Sequence, residues 1–434
     1  MESKETDYSA SLNLWLEKHR HTHPQEIDLG LERVKEVAAN MQLLHPEQTI
    51  VTVAGTNGKG STVAMLEAIL RAAGYTTASY TSPHMHRYNE RIKINNRCVG
   101  DAELCRAFEI IEAQRGDISL SFFEFSTLAA LQCFKSNNPD VLLLETGLGG
   151  RLDAVNIMDA DVAVITSIGI DHVEWLGDNR ESIGYEKAGI TRPGVPCVCG
   201  DTDPPESIKI LKKDRPLYLI GEDFSYRKDG DHWHFESADF RFNDLPLPAL
   251  FGDIQLQNAS CTLAALKCLA SRFKVSYEHI VQGLTTVYLP GRFQIREQSV
   301  DSGNIVGIFD ISHNPQSVEV MVQNLRSLTK GRELHAVFAI LSTKDADNVA
   351  QAVAPLVDHW YLAEPNSVHA LPVDKLKSVV GRHVNKPNGI QCFGSVSEAY
   401  DNARHNIKNG DRLLVFGSTM TVAEALAESE DGLN

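Results

Sequence analysis

The clearest chemistry in the 434-residue chain lies in Gly55-Thr56-Asn57-Gly58-Lys59-Gly60-Ser61-Thr62. Glycines let a backbone turn tightly and approach a ligand, and a neighbouring lysine neutralises negative charge. The segment follows an apolar, β-branched run, Thr49–Ala54, and opens a helical pattern. A strand–loop–helix of this kind can wrap phosphates with backbone N–H groups at the helix start. The strict P-loop formula is not met. Val53 stands where its first glycine belongs, and Gly60 separates Lys59 from Ser61. The expectation is phosphate binding through Asn57, Gly58, Lys59, Gly60 and Ser61, set against a plain glycine-rich surface turn.

Other polar residues also fall at the ends of predicted strands. Ser82 and His84 follow Thr76–Thr81, Glu145 follows Val141–Leu144, and Asp171-His172 follows Val162–Ile168. In an open parallel sheet the carboxyl ends of the strands share one edge, and ligands bind there. The loop, Ser82, Glu145 and His172 should therefore converge. A hydroxyl, a carboxylate and an imidazole beside a triphosphate make magnesium ligands, although a lone histidine is more often structural. Lys187, taken alone, reads as a solvated helix lysine. A further strand end carries Asp310-Ile311-Ser312-His313-Asn314-Pro315, and Arg292 follows Pro290-Gly291 at a predicted hinge. That arginine could reach phosphates or form a hinge salt bridge.

These residues need strands and helices to place them. Thr49 to about Pro290 alternates strand and helix. Ser61–Ala73 is amphipathic, and the nearly all-apolar Val141–Leu144 and Val162–Ile168 suit central parallel strands. A second α/β series follows, with strands at Ile305–Phe309, Leu334–Ile340, His359–Ala363 and Arg412–Phe416 and a helix from about Gln316. The expected fold is α/β. A P-loop-type, doubly wound ATPase domain spans 1–290, and a smaller Rossmann-like domain spans 291–434. Pro204–Asp253 should hold loops and short antiparallel strands.

Composition sets bounds. A formal net charge of -16 argues against non-specific attraction to nucleic acid or anionic lipid, without excluding a local anion pocket. Met1–Asp7 is polar and lacks the apolar core of a signal peptide, and no apolar run would span a bilayer. A cytoplasmic monomer is expected. The eight cysteines are scattered, and Cys197 and Cys199 lack partners at zinc spacing. They read as reduced thiols, mostly core filler. His19–His23 and His232-Trp233-His234 read as solvated segments, and some rings of Phe122-Phe123-Glu124-Phe125 as core.

Taken in order, the motifs resemble the folylpolyglutamate synthase family within the Mur ligase superfamily, from about Asp28 to Thr421. The resemblance rests on Ile27–Arg33, Gly55–Thr62, Thr81–His84, Glu145–Asp153, Asp171-His172, Glu186–Gly189, Pro290–Phe293 and Asp310–Pro315. It implies a ligase using ATP and magnesium at two sites. Its substrates would be L-glutamate and either dihydropteroate or reduced folates. Ser82, Glu145 and His172 would hold one magnesium, and an N-carboxylated Lys187 the second. Asn258, Arg292 and Asp310 would contact ATP. Lys59, Lys187 and His313, the last near the phosphates, would be catalytic. Asp28, Leu29, Gly30, Ser121, Phe122, Phe123, Glu124, Asp153 and Ala154 would line the dihydropteroate side.

Two departures stand out. Phe251–Asn258 matches the family loosely, and Gly417-Ser418-Thr419-Met420 lacks its aromatic and histidine. A cell-wall Mur ligase would carry a UDP-binding domain before the loop, for which residues 1–54 are too few. Two alternatives stay open: a monofunctional folylpolyglutamate synthase and a nucleotide-binding regulatory module.

Overall fold

The computed structural model describes residues 8–20, 23–25, 27–384 and 389–430. Met1–Asp7, and His21 and Thr22 of the histidine-rich stretch, lie outside the described residues. The chain divides into two compact units. One comprises Met1–Ala249 and Gln255–Val287, the other Leu250–Ile254 and Tyr288–Asn434.

The first unit is built on an eight-stranded sheet. Its strands are β1 (Thr49–Ala54), β2 (Thr77–Tyr80), β3 (Ile92–Ile94), β4 (Arg97–Cys98), β5 (Val141–Glu145), β6 (Val162–Ile165), β7 (Cys197–Cys199) and β8 (Leu217–Leu219). The spatial order is β4-β3-β2-β5-β1-β6-β7-β8. From β2 to β8 all neighbours are parallel, while β3 and β4 pair antiparallel at one edge. β1, with sequence TIVTVA, is buried along its whole length, as a strand covered on both faces must be. The register levels Tyr80 with Leu144, Val53 with Glu145, and Ala54 with Ile165. The chain therefore leaves β1, β2, β5 and β6 along one sheet edge.

β6 stops at Ile165, short of the expected Ile168. The hydroxyls of Thr166 and Ser167 turn to the Asn57 carbonyl instead of extending the ladder. A small antiparallel sheet of β9 (Phe224–Asp229), β10 (His232–Ser237) and β11 (Phe240–Pro246) occupies the Pro204–Asp253 region, in keeping with the short antiparallel strands expected there. Cys197 and Cys199 are fully buried in β7, whereas Cys98 and Cys392 are exposed.

The second unit carries a six-stranded sheet, order β12-β13-β17-β14-β15-β16. Its strands are β12 (Gln294–Val300), β13 (Gly303–Asp310), β14 (Leu334–Phe338), β15 (His359–Leu362), β16 (Ile390–Cys392) and β17 (Arg412–Phe416). β12 pairs antiparallel with β13, and the remaining neighbours are parallel. β12 carries no apolar run, so periodicity missed it. In the core Phe338 stacks on Phe416 at 4.5 Å, and Trp360 meets Phe338 edge-on at 6.0 Å. Such aromatic pairs add about 0.5–1.5 kcal/mol each beyond area burial.

In the histidine-rich N-terminal stretch, His19 and His23 are not solvated as expected. His19 is buried and stacks on Phe125 with centroids 3.5 Å apart. Burial holds its pKa down at about 4, so the ring is neutral and apolar in behaviour at pH 7. His23 bridges Asp28 and Ser119 at 3.1 Å each. The periodicity of the preceding helix, Tyr8–Arg20, buries His19 as a core ring despite its polar neighbours.

Candidate active site

The phosphate-loop candidate runs from the end of β1 into the helix Lys59–Ala72. Gly58 caps that helix with φ +88°, a left-handed conformation that costs a residue with a Cβ about 1–2 kcal/mol. A Cβ there would also run into Asn258 Oδ1, so the loop passes directly against Asn258. A Cβ on Gly55, at φ +153°, would meet Thr166. Both glycines are therefore required by close approach.

The loop is held from β6's exit. Thr56 N donates to Ser167 O at 2.8 Å, and Asn57 N to Ser167 Oγ at 3.1 Å. Thr166 Oγ1 and Ser167 Oγ donate to Asn57 O at 2.6 and 3.1 Å. Thr56 Oγ1 donates to Gly169 O at 3.0 Å and accepts from Gly169 N at 2.9 Å. Lys59 Nζ donates to Gly55 O at 2.9 Å, curling its charge back over the loop. Gly60 and Ser61 lie in the first turn of the helix, which presents amides and the positive end of the helix dipole.

Around this loop the predicted metal residues occupy the strand ends. Glu145 ends β5 and is buried, and its Oε2 accepts from Ser82 N at 3.3 Å. His172 follows Asp171, whose carboxylate accepts from His172 N at 2.9 Å. It holds φ +52° at the start of the turn Val173–Leu176. The segment before it is pinned by Asp201, which accepts from Ile168 N at 2.7 Å and from Arg180 at 2.7 Å. Ser82 and Glu145 thus meet directly, and a hydroxyl beside a carboxylate suits a hard divalent cation that keeps several waters.

Lys187 is not a solvated helix lysine. It sits in the last turn of the helix Arg180–Ala188 and is only 3% exposed. Burial first, then the like charge of Lys59, bring its pKa down to about 7, against the pull of Asp171 and Asp153. Lys187 is thereby coupled to the phosphate-loop lysine and to the residue preceding His172. A neutral amine is well populated at pH 7, which an exposed lysine is not. The helix is fixed by its neighbour, since Glu186 pairs with Arg151 at 2.8 Å and its carbonyl accepts from Arg151 N at 2.7 Å.

The segments expected on the dihydropteroate side are also joined. Arg33 pairs with Asp28 Oδ2 at 2.6 Å and with Glu124 Oε1 at 3.1 Å. Leu29 and Gly30 lie between Asp28 and Arg33 in half-buried backbone. Glu124 also closes a capping box with Ser121 at the start of the helix Phe122–Asn137. Phe125 belongs to the core, while Phe122 and Phe123 remain half-buried. Phe123 rests on Gly147, where a Cβ would clash with its ring, and faces Tyr80 at 5.8 Å. Asp153 and Ala154 are buried. Asp153 accepts from Leu148 N at 2.8 Å and Val155 N at 3.0 Å, and burial raises its pKa to about 6.

Within the second unit, Asp310 ends β13 and is buried. Its oxygens accept from Phe293 N and Ser312 N, each at 2.8 Å, beside the Arg292 charge. Burial nonetheless raises its pKa. His313 Nδ1 lies 2.8 Å from Ile311 O, and Asn314 caps the helix Pro315–Leu328. At the chain's other departure, Ser418 bonds Thr421 at 2.7 Å and Thr421 Oγ1 donates to Ala339 O at 2.7 Å, a local structural role.

Sequence reasoning passed over Thr166, Ser167, Asp201 and Arg33. The first two read as strand, Arg33 stands in the Ile27–Arg33 motif without a role, and nothing local marks Asp201. The signal that was available is the hydroxyl pair at a strand end facing a glycine loop.

Residues 53–266 match the Mur ligase middle domain, and residues 291–419 the Mur ligase glutamate ligase domain. The dihydrofolate synthase/folylpolyglutamate synthase of Escherichia coli strain K12 is 41% identical over 426 residues, spanning 98% of this chain and 97% of the relative. The solved structure of E. coli FolC in complex with DHPP and ADP matches at a TM-score of 0.91, with 40% identity and 98% of both chains covered. A bifunctional folylpolyglutamate synthase/dihydrofolate synthase with Mn, AMPPNP and L-glutamate bound matches at 0.87 with 40% identity, over 96% of this chain and 98% of that one. With the phosphate loop, the strand-end carboxylate and the buried lysine all in place, the chain belongs to the dihydrofolate synthase/folylpolyglutamate synthase family of Mur ligases.

Proposed function

We infer that the chain is an ATP-dependent amide ligase. It joins L-glutamate to 7,8-dihydropteroate to give dihydrofolate, and adds further glutamates to reduced folates. The observation that carries this reading is the seat of Phe123 on Gly147, two residues beyond Glu145. An aromatic surface suited to a pterin or benzoyl ring thereby borders the edge that carries the phosphate loop.

The reaction's difficulty is the carboxylate, whose leaving group would be oxide. Transfer of the γ-phosphoryl group of ATP to that carboxylate gives an acyl phosphate and ADP. The glutamate amine then attacks the acyl carbon, and phosphate leaves. The protein's task is to position anions and offset their charge. The amides of Gly58, Gly60 and Ser61, with Asn57 and the Lys59 ammonium, receive the phosphates. Asn258, against Gly58, would contact ATP, and in the second unit Arg292, Asp310 and His313 are the residues that the family resemblance offers to it. Ser82, Glu145 and His172 would hold a divalent cation, which when bound neutralises charge on the transferring group.

Lys187, carboxylated on Nζ, would hold a second cation. Its burial beside Lys59 supports this, because carbon dioxide adds only to the neutral amine. Asp28, Leu29, Gly30, Ser121, Phe122, Phe123 and Glu124, backed by Asp153 and Ala154, shape the dihydropteroate side. We place the activity in the cytoplasm, the compartment that supplies ATP and keeps thiols reduced.

The test is to incubate purified protein with ATP, magnesium and glutamate, offering dihydropteroate or tetrahydrofolate, and to identify products by mass. Dihydrofolate and glutamate-extended folate are expected. Product from tetrahydrofolate alone would reduce the assignment to a monofunctional folylpolyglutamate synthase. Phosphate release with no amide product from either acceptor would leave only a nucleotide-binding module.

A further inference from the structure

β14 and β15 are parallel neighbours, and their register sets His335 level with His359. Level residues on adjacent parallel strands project from the same face, with backbones about 4.8 Å apart. The two imidazoles accordingly lie face to face, centroids 4.4 Å apart. Glu333, just before β14, reaches the same point, its Oε2 3.5 Å from His359 Nε2. One ligand atom from each of Glu333, His335 and His359 falls within 4.8 Å of the others. Tetrahedral zinc, with bonds of about 2.0–2.1 Å, sets its donors about 3.3 Å apart. The stacked rings must turn toward a common point, and the donors draw in from within 4.8 Å, to close the set.

His335 points to a ligand on separate grounds. The residue is 3% exposed, and its Nε2 is buried without a hydrogen-bond partner. Leaving a buried polar nitrogen unsatisfied costs about 1–3 kcal/mol. Its other nitrogen, Nδ1, sits 3.2 Å from the Tyr361 hydroxyl. With Nδ1–H donating to that oxygen, Nε2 presents a bare lone pair, the arrangement in which an outer hydrogen bond orients a metal-binding imidazole. Lys408 lies 3.7 Å from Glu333 Oε2 on a side chain 77% exposed, and is easily displaced.

We propose that Glu333, His335 and His359 bind a transition-metal dication of the zinc type. Two imidazoles and one carboxylate suit zinc, cobalt or nickel and disfavour magnesium, which demands oxygen. The site lies toward the amino ends of β14 and β15. Asp310 lies at the opposite end, since the shared neighbour β17 levels it with Phe338, three residues beyond His335. The metal ties two strands of the second unit together and takes no part in the ligase chemistry.

The test uses untagged, full-length protein stripped with a chelator and titrated with Zn2+ by calorimetry in saturating magnesium. One equivalent is expected to bind, and Co2+ should give visible d–d bands from an imidazole-bearing site. H359Q should weaken Zn2+ binding by at least about tenfold and abolish the cobalt bands, with magnesium-dependent ligase turnover unchanged. E333Q, at an exposed carboxylate outside the core, gives the same readout should H359Q fold poorly. Zn2+ should also raise the unfolding temperature of the wild type and not of either variant. Absence of Zn2+ binding by the wild type overturns the proposal, as does undiminished binding by a folded H359Q or E333Q protein.

Discussion

Two loops at strand ends, one in each unit, are built on opposite plans. Gly55–Lys59 turns on two glycines and, apart from the Lys59 bond to Gly55 O, takes much of its order from elsewhere. Thr166, Ser167, Gly169 and Asn258 fix it from more than a hundred residues away in sequence. The loop at Asp310–Asn314 is held by bonds among its own residues and to Phe293 of the same unit. Asp310 accepts from Phe293 and Ser312, His313 turns back on Ile311, and Asn314 caps its own helix. A loop that turns on glycines at its close approaches is shaped largely from outside. A loop of polar side chains shapes itself and spends its acceptors doing so.

The contrast can be broken by mutation, and the largest effect should come from Lys59→Ala. Steady-state turnover should fall by about a thousandfold in both ligase activities, the upper range for losing a group that stabilises transferring charge. Circular dichroism should be unchanged, because the lysine folds over the loop and not into the core. Turnover near that of the wild type would remove Lys59 from the phosphate site.

Lys187→Ala should cost about a hundredfold if the lysine carries the carboxylate of a metal ligand, with partial recovery on adding short carboxylic acids. Carbon-13 bicarbonate should give the wild-type protein a carbamate resonance that the variant lacks. A fully active variant would mean that Lys187 is only a buried helix residue.

Phe123→Ala should raise KM for dihydropteroate by about tenfold, as loss of an aromatic pocket wall implies, while leaving KM for ATP near its original value. Equal losses for both substrates would assign the ring to the core.

Thr166→Val and Asp310→Ala set the two plans side by side. Removing the Thr166 hydroxyl strips Asn57 O of its shortest donor and should raise KM for ATP several-fold, about 1 kcal/mol, with little change in the unfolding midpoint. Removing the Asp310 carboxylate orphans two amides inside its own unit and should lower stability to urea by about 2 kcal/mol. If Thr166→Val proved the more destabilising of the pair, the distinction between an externally and an internally held loop would fail.

Apolar runs made much of the fold legible. Thr49–Ala54 and Arg412–Phe416 form strands over the residues their patterns suggested, because parallel strands covered on both faces need unbroken hydrophobicity. β12 was not legible, since an edge strand with one wet face carries mixed residues. The glycine loop announced itself through composition. The burial of Lys187 did not, because Tyr185-Glu186-Lys187 is polar in sequence and Glu186 finds its partner in Arg151, 35 residues earlier. The link from Asp28 to Glu124 through Arg33 was equally silent, since Arg33 and Glu124 are local in space and 91 residues apart along the chain.

The contact between Gly58 and Asn258 bears on the order in which the protein becomes active during synthesis. The loop emerges early, but the helix that backs it, Ile254–Cys268, is made some two hundred residues later. Until that helix docks, nothing on its side fixes the backbone at Gly58, and a flexible glycine loop loses the entropy advantage of a preformed anion nest. A nascent or truncated chain ending before Ile254 should therefore bind nucleotide poorly even if its first strands have paired. Competence to hold ATP would then arrive late, with the first unit's final helices, and partly made chains would be kept from engaging the cell's nucleotide pool.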